Sequence, residues 1–418
     1  MKRLRKKSPA RLSKDAERLI KMASATVDSG CRIENRYWEM QLESMATQLL
    51  DGGHDGAIEA ALDHTYGKEP DAHDVLADTV EAAAESYFFE ANGKSYQALL
   101  ISVPIVAWSK YPIAAGKLSA TAIAPIEANL RKHIFAGDTQ SMVYPFLYSI
   151  DHLPQSFSET RKLLKTLADA AANKQKLPVR QDKIETIDMP ADTRMLLAVA
   201  IAPLGHAIFR WQEQSSPAPV KADTKTSSSK TAKKAVAKIG TPMSRSDCLA
   251  QWVEHSKTAL ATLIPGASFE CGLPDAFFPN CRECDKRVRP YMITSAVDHL
   301  EAALATSREQ LHAIIAGVGD TQVDEYRVAF ALRNTGEVIN GMIWPLVSNE
   351  DDDANPGPRE EIEAILKAAK VGKITKLTGV LTPEFCEDCG APLFYDPDGE
   401  AVHPHMPDDS DVSPAHYH

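Results

Sequence analysis

Residues 87–107 read YFFEANGKSYQALLISVPIVA, and this stretch decides how the middle of the 418-residue chain folds. Asn92-Gly93 is a two-residue turn of the kind that joins antiparallel strands, because both positions tolerate a positive φ. Residues 99–107 are almost continuously apolar, which is typical of a strand that is buried on both faces. The sequence therefore predicts a β-hairpin whose second strand lies inside a sheet.

Residues 12–86, which precede this hairpin, are predicted to be helical, and we assign residues 12–90 to a helical region. Ser13 is suited to cap the first helix, because its side-chain oxygen can accept an otherwise unpaired backbone N–H. Gly30 is suited to end that helix. Apolar residues that recur at helical spacing indicate four helices, and the second shows the clearest buried stripe. The members of that stripe are Trp38, Leu42, Met45 and Leu49.

Residues 91–211 are predicted to form an α/β unit in the order β-α-β-α-β-β. Alternation of short apolar runs with helical periodicity carries this prediction. The predicted strands after the hairpin lie at 142–148, 194–203 and 207–211, and the predicted helices lie at 118–135 and 157–172.

A linker and a second unit are predicted to follow. Residues 212–246 are rich in Ser, Thr, Pro, Ala and Lys without apolar periodicity, so they are predicted to be a disordered basic linker. Residues 247–400 form the predicted second α/β unit. Its predicted helices lie at 247–263, 281–305 and 358–370, and its strands at 266–272, 311–316, 326–332, 337–347, 375–382 and 391–395. The chain ends are predicted to be a basic flexible arm at 1–11 and a polar tail at 401–418.

Short segments of the two units repeat one another. Residues 142–147 (MVYPFL) are echoed by 342–347 (MIWPLV), and residues 205–209 (GHAIF) by 390–394 (GAPLF). We interpret these echoes as an internal duplication, in which both units carry the same strand order. The predicted fold is therefore α/β (α+β), with a helical N-terminal region followed by two pseudo-repeated mixed α/β units and a cleft between them.

Composition limits the class of protein. A chain of 418 residues of which 44% are hydrophobic can bury more than one core, so two or three domains are expected. No apolar run approaches the roughly 20 residues that cross a bilayer. The basic residues at the start are not followed by the apolar region of a signal peptide. We therefore expect a cytoplasmic protein with no membrane association.

Charge is unevenly distributed along the chain. The net charge is −11, although positive side chains are concentrated at 1–14 and 214–246. The remaining residues are therefore more acidic than the total, which disfavours a general nucleic-acid binder because phosphate contacts need clustered Lys and Arg. The basic arm at 1–11 could still contact RNA or DNA, although a solvated tail is the simpler interpretation.

Several separated segments together resemble a known group of sequences. These segments are 8–13 (SPARLS), 32–39 (RIENRYWE), 148–151 (YSID) with Leu153-Pro154, and 209–213 (FRWQE). The chain resembles the uncharacterised bacterial family catalogued as domain of unknown function 2863. The resemblance implies a bacterial cytoplasmic protein, and it implies no activity, cofactor or catalytic residue.

The best candidate for chemistry is a cysteine pair near the C-terminal end. Cys386-x-x-Cys389-Gly390 is a turn that ends in glycine and points two thiolates at one ion, as zinc sites require. We therefore predict a structural Zn²⁺ site, because four protein ligands would leave no position for water. The predicted ligands are Cys386, Cys389, His403 and His405.

This ligand set has an alternative. His403 and His405 are only two residues apart, whereas three to five residues usually separate the histidines of a zinc finger. A second CxxC pair, Cys281 and Cys284, could instead complete a four-thiolate site. A redox role for Cys386 is disfavoured, because its acidic neighbours are expected to raise the pKa of the thiol. Those neighbours are Glu384, Glu387 and Asp388.

These observations favour a non-catalytic binding or regulatory protein that carries a structural zinc site and binds an unidentified protein or small molecule. One alternative is an enzyme with its active site in the cleft between the two units. Another is a nucleic-acid-associated protein that uses the basic arm. No catalytic or cofactor-binding residue is indicated, since the sequence lacks a phosphate loop, a nucleophile elbow and an HExxH motif.

Overall fold

The computed structural model describes most of the chain. The described residues are 12–91, 93–109, 111–175, 191–213, 243–320, 322–347, 350 and 356–406. The predicted basic arm, nearly all of the predicted linker and most of the predicted polar tail lie outside them. The nucleic-acid alternative, which depends on that arm, stays a prediction.

Four helices form the N-terminal region, as predicted, but the last ends at Glu85, so residues 86–90 of the assigned region belong to a strand. The helices are α1 (Lys14–Val27), α2 (Arg32–Asp51), α3 (Asp55–Thr65) and α4 (Pro70–Glu85). Ser13 caps α1, since its Oγ accepts the backbone N–H of Ala16 at 3.1 Å. Leu42, Met45 and Leu49 of the predicted stripe are buried in the core of this region, whereas Trp38 is only half-buried.

The predicted hairpin is present as β1 (Ser86–Ala91) and β2 (Lys94–Trp108). Its register pairs Ala91 with Lys94, and Gly93 adopts φ +71°, as the turn requires. Residues 100–107 are buried without a break. The prediction of a strand covered on both faces is therefore confirmed.

Seven strands form the first sheet around β2. The others are β3 (Gly116–Lys117), β4 (Gln140–Ser149), β5 (Ala191–Pro203), β6 (Ser268–Cys271) and β7 (Asp275–Ala276). The order is β1-β2-β5-β4-β3, all pairs are antiparallel, and β6 and β7 pair with β2. The helices α5 (Ala120–His133) and α6 (Phe157–Ala172) lie at the predicted positions and pack on opposite faces.

The predicted strand at 207–211 is wrong. After the turn at Gly205 the chain enters a short 3₁₀ helix at Arg210–Gln212. The side-chain oxygen of Gln212 accepts the backbone N–H groups of Ile208 and Phe209, both at 3.1 Å. A side chain thus satisfies the donors that a strand would have paired with a neighbour.

Residues that follow the predicted linker complete the first core. Helix α7 (Arg245–Ala261) packs against α5, and its Trp252 is fully buried beside residues of β2 and β5. Since β6 and β7 also extend the first sheet, the beginning of the predicted second unit is packed into the first.

Helix α8 (Phe277–Ala303) joins two cores. Phe277 and Cys284 lie in a core of the first sheet, with residues of β4, β5 and α6. Ile293 and Leu300, which follow Pro290, lie in the core of the second sheet. The start of α8 also holds the helical region, since the backbone N–H of Phe278 donates to the buried carboxylate of Glu85 at 2.9 Å.

The second sheet has four strands. They are β8 (Leu311–Val318), β9 (Glu325–Leu332), β10 (Val338–Pro345) and β11 (Lys373–Lys376), in the order β10-β9-β8-β11, and β11 runs parallel to β8 after α9 (Pro358–Ala368). One face is covered by α8 and α9. The other face is covered by the small hairpin β12 (Phe394–Tyr395) and β13 (Ala401–Val402).

The two sheets have unlike strand orders, which corrects the prediction of a shared order. In the first sheet β5 lies between β2 and β4, whereas β8, β9 and β10 pair in chain order. Pro145 lies at a register shift within β4, and Pro345 ends the edge strand β10. Both prolines therefore occupy positions where a missing N–H is tolerated, which explains the echo without a duplication. The α+β class is confirmed, but the argument for a cleft between duplicated units no longer holds.

None of the described helices is both long and apolar enough to cross a membrane.

The packing of α7 against the first sheet can be tested at Trp252. Trp252→Ala should lower the free energy of unfolding by about 3–5 kcal/mol, because it leaves a large cavity between α7 and the first sheet. Chemical denaturation followed by circular dichroism measures this loss. Trp38→Ala, at a half-buried position of α2, is the control and should cost clearly less. An equal loss in both variants would contradict the placement of α7 in the first core.

Candidate metal centre

The CxxC segment forms a closed turn ahead of the β12–β13 hairpin. The backbone N–H of Cys386 donates to the carbonyl of Ala391 at 2.8 Å, and that of Gly390 donates to the carbonyl of Cys386 at 2.9 Å. Gly390 adopts φ +74°, a conformation that side-chain-bearing residues rarely adopt. The glycine thus closes the turn, and the turn brings the two thiols together.

Three of the predicted ligands meet at this turn. The ligand atoms of Cys386, Cys389 and His403 all lie within 4.8 Å of one another. Cys389 Sγ and His403 Nε2 are 3.4 Å apart. A sulfur and a nitrogen bound to one tetrahedral zinc ion lie about 3.6 Å apart, so the spacing fits a shared ion. His403 reaches the turn because it directly follows β13.

A hydrogen bond orients the imidazole of His403. Its Nδ1 lies 2.9 Å from the carbonyl oxygen of Pro404, which can only accept. Nδ1 therefore carries the proton, and Nε2 presents a lone pair to the thiols. Metal-binding histidines are typically oriented in this way, by a hydrogen bond from the ring nitrogen that does not bind the ion.

The electrostatics at Cys386 differ from the sequence-based expectation. Backbone N–H groups of Cys389 and Asp388 donate toward the sulfur and lower the pKa of the Cys386 thiol. The charge of Asp388 opposes them but is a smaller effect. The expectation that acidic neighbours raise this pKa is therefore wrong, because it ignored the donors that the tight turn supplies.

The fourth predicted ligand, His405, lies beside the cluster but outside it. The His405 ring is tilted against that of His403, with centroids 4.9 Å apart. Its backbone N–H donates to the carbonyl of Val338 on β10 at 3.1 Å, which fixes the backbone. The structure thus brings three of the four predicted ligands together and places the fourth next to them.

The alternative thiols lie elsewhere. Cys284 is buried in α8 against the first sheet, and Cys281 packs at the edge of the same core. Burial raises the pKa of Cys281 to about 12 and also raises the pKa of Cys284. Thiols held protonated among apolar side chains are poor metal ligands. Among the described residues, neither Cys281 nor Cys284 belongs to the cluster of possible metal ligands.

A buried arginine that sequence reasoning missed attaches this turn to the second sheet. Arg327 lies on β9, and its Nη1 donates to the carbonyls of Glu384 at 2.7 Å and Leu393 at 2.5 Å. Its guanidinium also lies over the ring of Phe385, 5.2 Å from the centroid. One side chain therefore holds the backbone on both sides of the metal-binding turn. The available signal was a charged residue inside the apolar strand predicted at 326–332.

A close contact fixes the hairpin that carries His403. Gly341 on β10 faces Phe394 of β12, and a Cβ at position 341 would come within 2.5 Å of the phenyl ring. Glycine is needed there because any side chain would displace the ring. Phe394 is buried with Ile314 and Ala329 of the second sheet.

Comparison with known proteins identifies the family. The model of a family described as "Protein of unknown function (DUF2863)" matches residues 4–417. The chain therefore belongs to this family, as the resemblance predicted. No curated protein and no solved structure matches the chain.

Arg327 provides a test of how the metal-binding turn is held. Arg327→Met should lower the free energy of unfolding by about 3–5 kcal/mol, because it leaves two backbone carbonyls and Glu325 without their buried donor. It should also speed proteolysis between β11 and β12. Chemical denaturation and limited proteolysis measure the two effects. Arg333→Met, which removes a single exposed hydrogen bond, is the control. Equal behaviour of the two variants would contradict the anchoring role.

Proposed function

We propose that this member of the DUF2863 family is a non-catalytic binding or regulatory protein of the bacterial cytoplasm, in which a structural Zn²⁺ ion holds the C-terminal hairpin. The convergence of Cys386, Cys389 and His403 within 4.8 Å carries the zinc assignment. Two thiols and an imidazole bind zinc in preference to magnesium and calcium, which are harder ions and favour oxygen ligands.

The proposed ion would close a loop between the CxxC turn and the residue after β13. That loop contains β12, whose Phe394 packs on the second sheet. The hairpin contains only two short strands of two residues each, which is too little to be stable by itself. A metal cross-link supplies the stability that so small an element lacks, since metal binding energy becomes folding energy.

We propose His405 as the fourth ligand. Its ring lies against that of His403, with centroids 4.9 Å apart, so it is the predicted ligand next to the cluster. With four protein ligands the ion has no open position and acts structurally. With three, the fourth position would hold water, and an enzyme with its active site at the metal centre, not in the cleft first predicted, would gain a metal-bound nucleophile.

Metal analysis tests the zinc assignment. Full-length protein purified without added zinc should contain about one equivalent of Zn²⁺. Cys386→Ser and His403→Ala should each lose most of it, because an incomplete ligand set holds the ion less tightly. Cys31→Ser, at an exposed cysteine in the helical region, should retain the metal. Cys281→Ser should also retain it. Less than half an equivalent in the wild type, or retention in Cys386→Ser, would contradict the proposal.

A further variant, His405→Ala, tests whether His405 is the fourth ligand. A competition titration with a chromophoric chelator should show weaker zinc binding in this variant than in the wild type. Unchanged affinity would show that His405 is not a ligand, and it would favour an open zinc site and an enzyme with its active site at the metal centre.

A further inference from the structure

A cleft between the first sheet and α8 has a composition suited to a small molecule. Its volume is about 330 Å³, which lies at the lower end of the range for ligand sites. Strand β2, helix α7, strand β6 and helix α8 supply its walls. The lining residues are Trp108, Leu249, Val253, Lys257, Phe269, Glu270, Cys271, Arg287 and Tyr291. None of them is a metal ligand, so this cleft is independent of the proposed zinc site.

One wall of the cleft is aromatic and held in place. Trp108 and Tyr291 are stacked, with ring centroids 4.2 Å apart and planes inclined by 10°. The hydroxyl of Tyr291 donates to Glu270 Oε2 at 3.1 Å, and Arg287 pairs with the other carboxylate oxygen of Glu270. The rings are therefore oriented before a ligand arrives, which lowers the entropic cost of binding.

Lys257 supplies a positive charge at the same cleft. No described carboxylate lies within 4.0 Å of its ammonium group. Arg287, by contrast, forms salt bridges with Glu270 and Glu283. Lys257 is exposed to solvent, and it is near enough to Cys271 for its charge to act on that thiol. Burial raises the pKa of the Cys271 thiol to about 11, and the charge of Lys257 opposes that rise.

The same arrangement disfavours chemistry in the cleft. Both carboxylate oxygens of Glu270 already have partners, Arg287 at one and the hydroxyl of Tyr291 at the other. The thiol of Cys271 stays protonated near neutral pH, and a thiol is a weak nucleophile in that form. An aromatic surface next to a cation without a carboxylate partner is suited to binding a ligand, not to catalysing a reaction.

We propose that this cleft binds a small aromatic carboxylate. The ring of the ligand lies among Trp108, Val253 and Phe269, and its carboxylate pairs with Lys257. Arg287 is already paired with both Glu270 and Glu283, so Lys257 is the cation of the lining that an anionic ligand can pair with. The apolar side chains take the body of the ligand out of water, and the lysine selects the anion over a neutral analogue.

Matched probes test the proposal on the full-length protein. Isothermal titration calorimetry with 1-naphthoate should show binding at millimolar or lower concentration, and neutral 1-naphthamide should bind at least about tenfold more weakly. Lys257→Gln should weaken 1-naphthoate by about tenfold and remove the preference over the amide. Lys162→Gln, at an exposed lysine of α6, is the matched control and should leave both affinities unchanged.

A second variant probes the apolar part of the cleft. Val253→Trp should fill the space and abolish binding of 1-naphthoate, and an unchanged circular dichroism spectrum and melting temperature would show that the fold is intact. If this variant unfolds, Lys257→Gln alone decides. Equal affinity for the carboxylate and the amide, an unaffected Lys257→Gln, or no binding to the wild type would overturn the proposal.

Discussion

Burial of one helix in two different cores is the constraint on which the rest of this structure depends. Helix α8 contains 27 residues, and the part before Pro290 packs on the first sheet while the part after it packs on the second. Its first turn also receives Glu85 of the helical region. Separating the two sheets would therefore expose apolar surface of α8 to water, at a cost proportional to the area exposed. Both candidate sites follow from this arrangement, because the cleft uses Arg287 and Tyr291 of α8 and the proposed metal centre lies on the sheet that α8 covers.

Buried polar groups decide where the small C-terminal hairpin is placed. Two carbonyls beside the CxxC turn accept from Arg327, a fully buried cation that would be costly without partners. Gly341 lets the Phe394 ring approach the sheet, and His403 is oriented by its own neighbour Pro404. The sheet thus prepares the site before any ion binds. In this account the proposed ion strengthens an attachment that hydrogen bonds and packing have already defined.

Local sequence signals predicted the individual helices and the hairpin, whereas they could not predict which distant strands pair. The helix at 157–172 and the hairpin at 87–107 depend on capping, periodicity and a two-residue turn, all of which are visible within a short window. Strand β5 inserts between β2 and β4, and nothing local to residues 191–203 specifies these partners. The duplication was inferred from two echoes, one of them the aromatic-proline pair, yet each of its prolines reflects only a position without a ladder hydrogen bond. The cysteine pair and His403 could be predicted from spacing. Arg327 and the stacking of Trp108 on Tyr291 could not, because their roles depend on residues 57 and 183 positions away.

Calorimetry of the full-length protein tests the bridging role of α8 most directly. If α8 couples the two cores, thermal unfolding should give a single transition whose calorimetric enthalpy equals the van't Hoff enthalpy. Two resolved transitions, one for each sheet, would contradict the account, because they would show that one core can unfold while the half of α8 packed in the other remains folded.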